Sequence, residues 1–172
     1  IVGITGTNGK TTVANLAMEI SNQLGFNAVS IGTLGIRTQN GKLIKDFGMT
    51  TPPYIWLRKF IYSYGDEYNV FFIETSSHAL HQNRFFDLKM DVAAWTNLTQ
   101  DHLDYHGDME QYFLEKCKII NYLKDHSSPL VIPYGEDLLK EKILKNTNDL
   151  KVIETRPLQS KSLPLFYRPE FN

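Results

Sequence analysis

Residues 1–12 read IVGITGTNGKTT, and this stretch decides the class of fold that the chain takes. The apolar run at 1–5 predicts a buried strand, and the apolar periodicity from Lys10 to Leu24 predicts an amphipathic helix. A glycine-rich turn between a strand and a helix offers its backbone N–H groups, together with the helix N-terminus, to an anion. The stretch therefore predicts a loop that binds phosphate groups.

The loop itself carries the side chains that phosphate chemistry requires. Lys10 is placed to reach terminal phosphates, and the Thr11 hydroxyl is placed to bind Mg²⁺. The usual spacing, G-x-x-x-x-G-K-[ST], needs a glycine where this chain has Ile4, so the loop is a variant. A glycine-rich turn with an incidental lysine is the alternative. The predicted phosphate-binding residues are Gly6, Thr7, Asn8, Gly9, Lys10, Thr11 and Thr12.

Beyond this loop, strand patterns alternate with helix patterns along the chain. The predicted helices are one that Pro52 and Pro53 open, running to about Tyr64, one that follows an Asp108 cap, and one near 136–145. A hairpin or long loop is predicted at 36–53 and a loop at 101–108. A second strand with its turn is predicted at 27–35, and further strands are predicted at 69–77, 91–98, 129–133 and 150–155. This alternation predicts an α/β fold, with a mostly parallel sheet flanked by helices in the manner of P-loop NTPases.

Length, charge and cysteine content narrow the class of protein. The chain has 172 residues, of which 42% are hydrophobic, which is enough for one domain with a core. The net charge of −1 gives no general case for binding nucleic acid or an anionic membrane. No apolar run approaches the roughly 18 residues that span a bilayer. The lone Cys117 excludes an internal disulfide and fits a cytoplasmic protein, which we expect to be a monomer.

A carboxylate follows the third of the buried strands. Glu74 comes directly after the apolar run at 70–73, and ligands of open α/β sheets gather at the carboxyl ends of strands. Glu74 is therefore a candidate to hold a metal ion or to orient water beside the phosphate loop. An exposed glutamate at a strand end is the alternative. The neighbouring Ser77 and His78 give only weak support for a hydrolase, because the G-x-S-x-G elbow is absent.

A second polar segment, at 96–109, contains two histidines four residues apart. His102 and His106 would suit a zinc site if they lay on a helix, but Gly107 and the polar residues around them favour a loop. Contact with Mg²⁺ or nucleotide positioning by His102 is the preferred hypothesis. The alternative is that these side chains only order the loop, and His106 is the better candidate for that structural role.

The segment YFLEKCKII, residues 112–120, places a lysine in an apolar stripe. Lys118 shares the polar face with Glu115, whereas Lys116 does not. Burying an ammonium is costly unless its charge is offset, so Lys116 calls for a functional explanation. The alternative is an aliphatic stem on the core with the charged end in solvent. On a helix, Lys116 aligns with Tyr112, Phe113, Ile119, Ile120 and Leu123.

Several segments together resemble the Mur ligase family, whose members use ATP to join an amino acid to a peptidoglycan precursor. These segments are GITGTNGKTT at 3–12, TTPP at 50–53, ETSSHALHQNR at 74–84 and TNLTQDHLDYHGDMEQYFLEK at 96–116. They are most similar to the branch that adds the third amino acid to UDP-N-acetylmuramoyl-L-alanyl-D-glutamate. The resemblance covers roughly residues 1–123. It implies the family's central ATP-binding domain at 1–172, truncated at its C-terminal end.

The resemblance also implies a reaction and the partners of that reaction. The family works through an acyl phosphate, with ATP and Mg²⁺, and adds meso-diaminopimelate or L-lysine to the muramoyl dipeptide. The domain that binds the UDP-sugar and the domain that binds the amino acid are expected outside this chain, so the isolated fragment is expected to be inactive. No nucleic acid or membrane partner is implied.

Site residues follow from the resemblance position by position. Glu74 and His102 match metal ligands, Asn97 matches a position that contacts nucleotide or metal, and Lys116 matches a lysine that the family carries as a carbamate. The catalytic set is thus Lys10, His102 and carbamylated Lys116, with Thr11, Glu74 and His102 as metal ligands. The positions that match contacts to the muramoyl dipeptide are Thr50, Thr51, Ser76, Gln82 and Arg84.

Two alternative functions remain open at the level of sequence. A folylpolyglutamate synthase-like ligase shares the ATP loop, but the segments at 50–52, 76–80 and 101–107 favour the muramoyl branch. A nucleotide-dependent module without ligase chemistry is the second alternative. The set of Glu74, His102 and Lys116 argues against that module, because a switch has no use for a carbamate.

Overall fold

The computed structural model describes residues 1–101, 103–147 and 149–156. Two short 3₁₀ segments, Gln39–Gly41 and Lys118–Tyr122, accompany the regular elements. In chain order the regular elements are β1 (Val2–Thr5), α1 (Lys10–Gln23), β2 (Ala28–Gly32), β3 (Gly35–Arg37), β4 (Leu43–Lys45), α2 (Tyr54–Tyr64), β5 (Val70–Glu74), α3 (Ser77–His81), β6 (Val92–Trp95), α4 (Leu103–His106), α5 (Met109–Cys117), β7 (Leu130–Pro133), α6 (Asp137–Lys145) and β8 (Val152–Thr155).

The strands of the described residues form a single sheet in the order β4-β3-β2-β5-β1-β6-β7-β8. From β2 to β8 the neighbours in this order run parallel, and at the other end of the order β3 pairs antiparallel with both β2 and β4. The predicted α/β class with a mostly parallel sheet is confirmed. β1 lies between β5 and β6, so three strand ends that carry predicted site residues are neighbours.

Apolar side chains cover the sheet on both faces. The smaller core cluster includes Ile4, Met18 and Phe72, where α1 packs on the sheet. The larger cluster includes Ile73, Trp95 and Phe113, and the Trp95 and Phe113 rings stack with centroids 5.7 Å apart. Buried strands in parallel sheets carry continuous apolar runs for this reason, because neither face is exposed to water. Among the described residues, no helix combines the length and apolarity that a membrane crossing needs.

Most of the elements predicted from the sequence are present, with three differences. The hairpin at 36–53 is confirmed as β3 and β4, joined by a turn in which Asn40 adopts a left-handed conformation (φ 61°). The strand predicted at 69–77 ends at Glu74, and α3 follows where no helix was predicted. The cause is the Ser76 side chain, which caps α3 by accepting a hydrogen bond from the Ala79 N–H.

The second difference concerns the segment at 101–108, which was predicted to be a loop. That prediction is wrong for Leu103–His106, which form the single turn α4. Gly107 ends this turn at a positive φ of 86°, a conformation that glycine adopts without steric cost. In the third difference, the helix that carries Lys116 ends as an α-helix at Cys117 and continues as the 3₁₀ segment Lys118–Tyr122.

The start of α5 is fixed by the cap that the sequence predicts. Asp108 has an extended backbone, and its carboxylate accepts a hydrogen bond of 2.8 Å from the Gln111 N–H. A capped start sets the register of the helix, and that register directs Tyr112, Phe113 and Lys116 into the interior, where all three are buried. The half-buried thiol of Cys117 has its pKa raised to about 12 by burial, so it stays protonated.

Asp108→Ala should lower the free energy of unfolding by about 1 kcal/mol, because it leaves an N–H group of α5 without its partner. Urea denaturation followed by circular dichroism measures this loss. Glu136→Ala is the matched control, since Glu136 holds the same position in α6 but its side chain makes no cap hydrogen bond to the described residues. Equal losses in the two variants would contradict the assigned cap.

Candidate active site

Three polar segments meet at the carboxyl ends of β5, β1 and β6, because these strands are parallel neighbours in the sheet. Ile4 in β1 is level with Glu74 in β5, and Thr5 is level with Trp95 in β6. β1 leads into the phosphate loop, β5 leads into α3, and β6 leads into the segment at 96–101. The structure therefore brings together residues that are far apart in sequence, at the edge where open α/β sheets bind ligands.

Hydrogen bonds join the phosphate loop to the segment after β6. Asn97 accepts from two successive loop N–H groups, through its backbone oxygen from Thr7 (3.1 Å) and through its Oδ1 from Asn8 (2.9 Å). The Thr96 hydroxyl donates to the Asn8 carbonyl at 2.6 Å. Gly6 permits this approach, because a Cβ at its φ of 139° would lie 1.9 Å from Thr96 Oγ1. Asn97 thus holds the loop, whether or not it also contacts a ligand.

Lys10 lies against the loop and faces the predicted phosphate site. Its ammonium donates to the Gly6 carbonyl at 2.9 Å and to the Thr7 carbonyl at 2.8 Å. Burial lowers the pKa of Lys10, while the nearby charges of Glu74 and Asp101 act in the opposite direction. Gly9, at a positive φ of 81°, forms the N-cap of α1, so the helix N-terminus opens directly beside this lysine.

Glu74 is buried, with only 1% of its surface exposed, and the exposed-glutamate alternative is wrong. Its Oε2 accepts a hydrogen bond of 2.9 Å from the Thr11 hydroxyl, and its Oε1 accepts one of 2.9 Å from the Thr33 N–H. Gly32 leaves room for the carboxylate, since a Cβ there would lie 1.9 Å from Oε1. Thr33 was missed from the sequence, where its only signal is a polar residue following a buried strand.

The donors at this point match what Mg²⁺ requires. Mg²⁺ prefers oxygen ligands, retains several waters, and is often held by one or two carboxylates together with substrate phosphates. The Glu74 carboxylate and the Thr11 hydroxyl supply two such oxygens beside the phosphate loop. No group of three or more His, Cys, Asp or Glu side chains suited to a metal is found in the described residues. His102, predicted as a ligand and catalytic residue, lies outside them.

Lys116 is buried as the stripe in the sequence predicts, with 1% of its surface exposed. Its ammonium donates to the Gly6 carbonyl at 2.9 Å and lies 4.5 Å from the centre of the Tyr112 ring. Burial lowers its pKa to about 7, and the charge of Lys10 adds to this effect while Asp101 opposes it. The alternative of a head group in solvent is therefore wrong. The side chain of Lys118, by contrast, is 42% exposed and pairs with Glu115 at 2.7 Å.

The residues predicted to contact the muramoyl dipeptide cluster beside Glu74. Thr51 is buried, and its hydroxyl donates to the Glu74 backbone carbonyl at 2.7 Å. The guanidinium of Arg84 donates to Gln82 Oε1 (2.9 Å from Nε) and to the Thr51 carbonyl. These bonds hold Arg84 at the site while part of its charged group stays at the surface. Thr50 and Ser76 complete the predicted set, and their side chains bond to Thr33 and Thr51, respectively.

The structure gives His106 a contact within the protein. Its Nε2 lies 2.9 Å from the Ser77 hydroxyl, and both side chains are buried between α3 and α4. This contact agrees with the structural role that the sequence favoured for His106. Thr12, predicted to bind phosphate, lies exposed in the first turn of α1.

The sequence of this chain is similar to that of a known protein family. The sequence profile described as "Mur ligase middle domain" matches residues 4–159. The chain belongs to the Mur ligase family. A UDP-N-acetylmuramoyl-L-alanyl-D-glutamate–2,6-diaminopimelate ligase of Geobacter sulfurreducens is 44% identical over 124 residues, covering 72% of this chain and 24% of the relative.

Solved structures give the same picture of the fold. A structure of a UDP-N-acetylmuramoyl-L-alanyl-D-glutamate–2,6-diaminopimelate ligase matches with a TM-score of 0.69 and 27% identity, over 89% of this chain and 31% of that one. A folylpolyglutamate synthase of Mycobacterium tuberculosis, complexed with ADP and AMPPCP, matches with a TM-score of 0.61 and 19% identity, over 89% and 42%. At that identity the likeness shows the fold alone. The chain spans about a quarter to a third of the curated relatives' length.

Lys116→Met should stabilise the fold at pH 7, because it keeps an aliphatic stem and removes a buried ammonium. The pKa of Lys116 is about 7 in the folded chain and 10.5 for the free side chain. At pH values between these two, the unfolded chain therefore binds more protons than the folded chain. The stability of the unsubstituted chain therefore rises with pH across this window. The advantage of Met, at least about 1 kcal/mol at pH 7, should shrink towards pH 10.5.

Urea denaturation in CO₂-depleted buffer at several pH values measures this difference. Lys118→Met is the matched control, because the ammonium of Lys118 lies at the surface in an ion pair with Glu115. Its effect should stay within about 0.5 kcal/mol at each pH. A difference between Lys116→Met and the unsubstituted chain that stays flat from pH 7 to 10.5 would contradict the depressed pKa.

Proposed function

We propose that this chain is the ATP-binding part of a ligase that attaches 2,6-diaminopimelate to UDP-N-acetylmuramoyl-L-alanyl-D-glutamate. The observation that carries the proposal is the meeting of Lys10, Glu74 and Lys116 around the phosphate loop, where Glu74 ends β5 and Lys116 reaches the Gly6 carbonyl from α5. A phosphate loop alone would fit many nucleotide-binding proteins. A buried metal-type carboxylate and a buried lysine facing the same loop are what phosphoryl transfer to a carboxylate needs.

The proposed chemistry has two steps that this part of the enzyme would support. First, an oxygen of the dipeptide's terminal carboxylate attacks the γ-phosphorus of ATP, forming an acyl phosphate while ADP leaves. The amine nitrogen of the incoming amino acid then attacks the acyl carbon, inorganic phosphate leaves, and the nitrogen loses a proton to solvent as the amide forms. The loop N–H groups and the Lys10 ammonium would stabilise the negative charge that spreads over the transferring phosphoryl oxygens. Glu74 and Thr11 would hold Mg²⁺, which neutralises phosphate charge when bound.

Lys116 would act in this site as a carbamate rather than as an ammonium. Reaction with CO₂ requires the free amine, and a pKa of about 7 makes that form abundant near neutrality. The N–C bond forms as the amine nitrogen attacks CO₂, and the nitrogen loses a proton to solvent. The product is an anion beside the phosphate loop, where it would help to place metal and phosphate. His102 is proposed as a further metal ligand and catalytic residue on family resemblance alone.

The substrate side of the site is proposed to lie at Thr50, Thr51, Ser76, Gln82 and Arg84. Arg84 has the most direct physical rationale, since its planar guanidinium suits a carboxylate or phosphate of the muramoyl dipeptide. The 2,6-diaminopimelate preference rests on the similarity to 2,6-diaminopimelate ligases, and the residues that would choose it over L-lysine are proposed to lie outside this chain. We further propose that the reaction takes place in the cytoplasm and that the enzyme acts as a monomer without nucleic acid or membrane partners.

A folylpolyglutamate synthase-like ligase is the second candidate, because such an enzyme shares the fold at a TM-score of 0.61. Over the same share of this chain, 89%, the solved diaminopimelate ligase is 27% identical with a TM-score of 0.69, against 19% and 0.61 for that synthase. The first candidate is therefore preferred. A module without ligase chemistry offers no reason for a lysine buried beside the phosphate loop.

The proposed activity is tested with the full-length protein, ATP, Mg²⁺ and UDP-N-acetylmuramoyl-L-alanyl-D-glutamate. Phosphate release should require both this dipeptide and an added amino acid, and diaminopimelate should support it better than L-lysine. A folate substrate with glutamate is the parallel reaction for the second candidate. Phosphate release that never depends on the muramoyl dipeptide would overturn the assignment. The isolated 172-residue chain should show no ligase turnover.

The carbamate is tested by Lys116→Ala in the same full-length protein. We expect a loss of ligase turnover of at least about 100-fold, because the anion beside the metal is gone, with partial recovery on adding acetate or another short carboxylate. A ¹³C-NMR signal of a carbamate in ¹³CO₂-equilibrated unsubstituted protein, absent from the variant, is the direct measurement. Unimpaired turnover in Lys116→Ala would refute the proposed role, and Lys118→Ala serves as control.

A further inference from the structure

Thr33 is the residue at the site that the sequence did not single out. It follows the end of β2 and is itself exposed, yet two of its groups reach the buried Glu74 carboxylate. Its N–H donates to Oε1 at 2.9 Å, and its hydroxyl lies 3.1 Å from Oε2. Both carboxylate oxygens are therefore fixed by one residue, which sets the rotation of the carboxylate about its terminal bond.

The direction of the hydroxyl hydrogen bonds follows from counting protons. Thr33 Oγ1 lies 3.1 Å from Glu74 Oε2 and 3.2 Å from Thr50 Oγ1, but a hydroxyl has one proton to donate. An ionised carboxylate accepts and does not donate. The Thr33 proton therefore goes to Glu74, and Thr33 accepts the proton of Thr50. This order points the Thr50 proton towards Thr33 and leaves the Thr50 oxygen as an acceptor for a ligand.

The glycine before Thr33 leaves room for the Glu74 carboxylate at the end of β2. Gly32 precedes Thr33, and any Cβ at Gly32 would collide with the Glu74 carboxylate, at 1.9 Å from Oε1 and 2.3 Å from Cδ. The carboxylate therefore lies directly against the end of β2. Thr11 Oγ1 completes the arrangement on the other side by donating to Oε2 at 2.9 Å. Thr33 and Thr11 thus hold Glu74 from the β2 side and from the phosphate loop, respectively.

We infer that Thr33 is a positioning residue, which orients Glu74 towards the metal site and Thr50 towards the muramoyl dipeptide. The inference rests on the proposed function and deepens it, because it connects the metal side of the site to the substrate side through one hydroxyl. Thr33 touches neither the metal nor the reacting atoms in this role. Its backbone N–H holds Oε1 whatever the side chain is, so the side chain contributes the bond to Oε2 and the link to Thr50.

The test is Thr33→Val in the full-length protein, with Thr33→Ser as the rescue variant. Val keeps the shape and the backbone N–H but removes the hydroxyl. We expect the Mg²⁺ concentration needed for half-maximal binding of a non-hydrolysable ATP analogue, measured by calorimetry, to rise about fivefold. The KM for the muramoyl dipeptide should rise as well. Ser should restore both values to within about twofold.

Two controls separate positioning from a general effect on the fold. Thr38→Val lies on the same hairpin, next to β3, and should leave Mg²⁺ dependence and KM unchanged. Thr50→Val should raise the KM for the dipeptide and leave the Mg²⁺ dependence of analogue binding unchanged, because it breaks only the link on the substrate side. A lower melting temperature with unchanged Mg²⁺ dependence in Thr33→Val would overturn the inference.

The outcomes also separate this inference from the proposed function. If the unsubstituted protein binds the analogue only with Mg²⁺ and Thr33→Val behaves identically, the inference fails and the proposed function stands. If the unsubstituted protein shows no Mg²⁺-dependent binding of the analogue, the proposed function fails and the inference falls with it. If Ser fails to restore what Val removes, the hydroxyl is not the group that acts, and the inference fails.

Discussion

The parallel pairing of β1 with both β5 and β6 is the constraint on which the rest of the structure depends. Parallel neighbours place their carboxyl ends at one edge, so the phosphate loop, Glu74 and the segment with Asn97 meet there without any of them being close in sequence. The hydrogen bonds between Asn97 and the loop and between Thr11 and Glu74 are possible only in this order of strands. The order of the strands thus brings the segments of the site together, and the side chains on those segments determine its chemistry.

The burial of Lys116 beside the phosphate loop lowers the stability of the fold. Lys116 is among the largest fully buried side chains in the described residues, and its ammonium is offset only in part by the Gly6 carbonyl and the Tyr112 ring. A stable core would place an apolar residue there. Sites that depart from the rules of core packing are where function is expected, because the departure persists only if something selects for it. The deprotonated amine or an anion at this position would be easier to explain than the ammonium.

The sequence predicted the class of fold, and it predicted that Lys116 would be buried, because both rest on local signals. The strand, loop and helix at 1–24 form a contiguous pattern, and the lysine at position 116 interrupts the apolar stripe of its helix. The order of the strands is non-local and leaves no such mark. α3 was hidden because a strand pattern runs straight into Ser76 and Ser77, and a cap residue looks like a loop residue until its partner is known. Thr33 was missed for a similar reason, since its role depends on a carboxylate 41 positions away.

The Gly6 carbonyl accepts hydrogen bonds from two lysine side chains at once, those of Lys10 and Lys116, at 2.9 Å each. As ammonium groups these side chains repel one another in a partly dry site, and the charge of Lys10 accordingly adds to the lowering of the Lys116 pKa. A carbamate on Lys116 would turn that repulsion into attraction. Lys10 thus favours the loss of positive charge at Lys116, and a substitution that removes the charge of Lys10 should raise the pKa of Lys116.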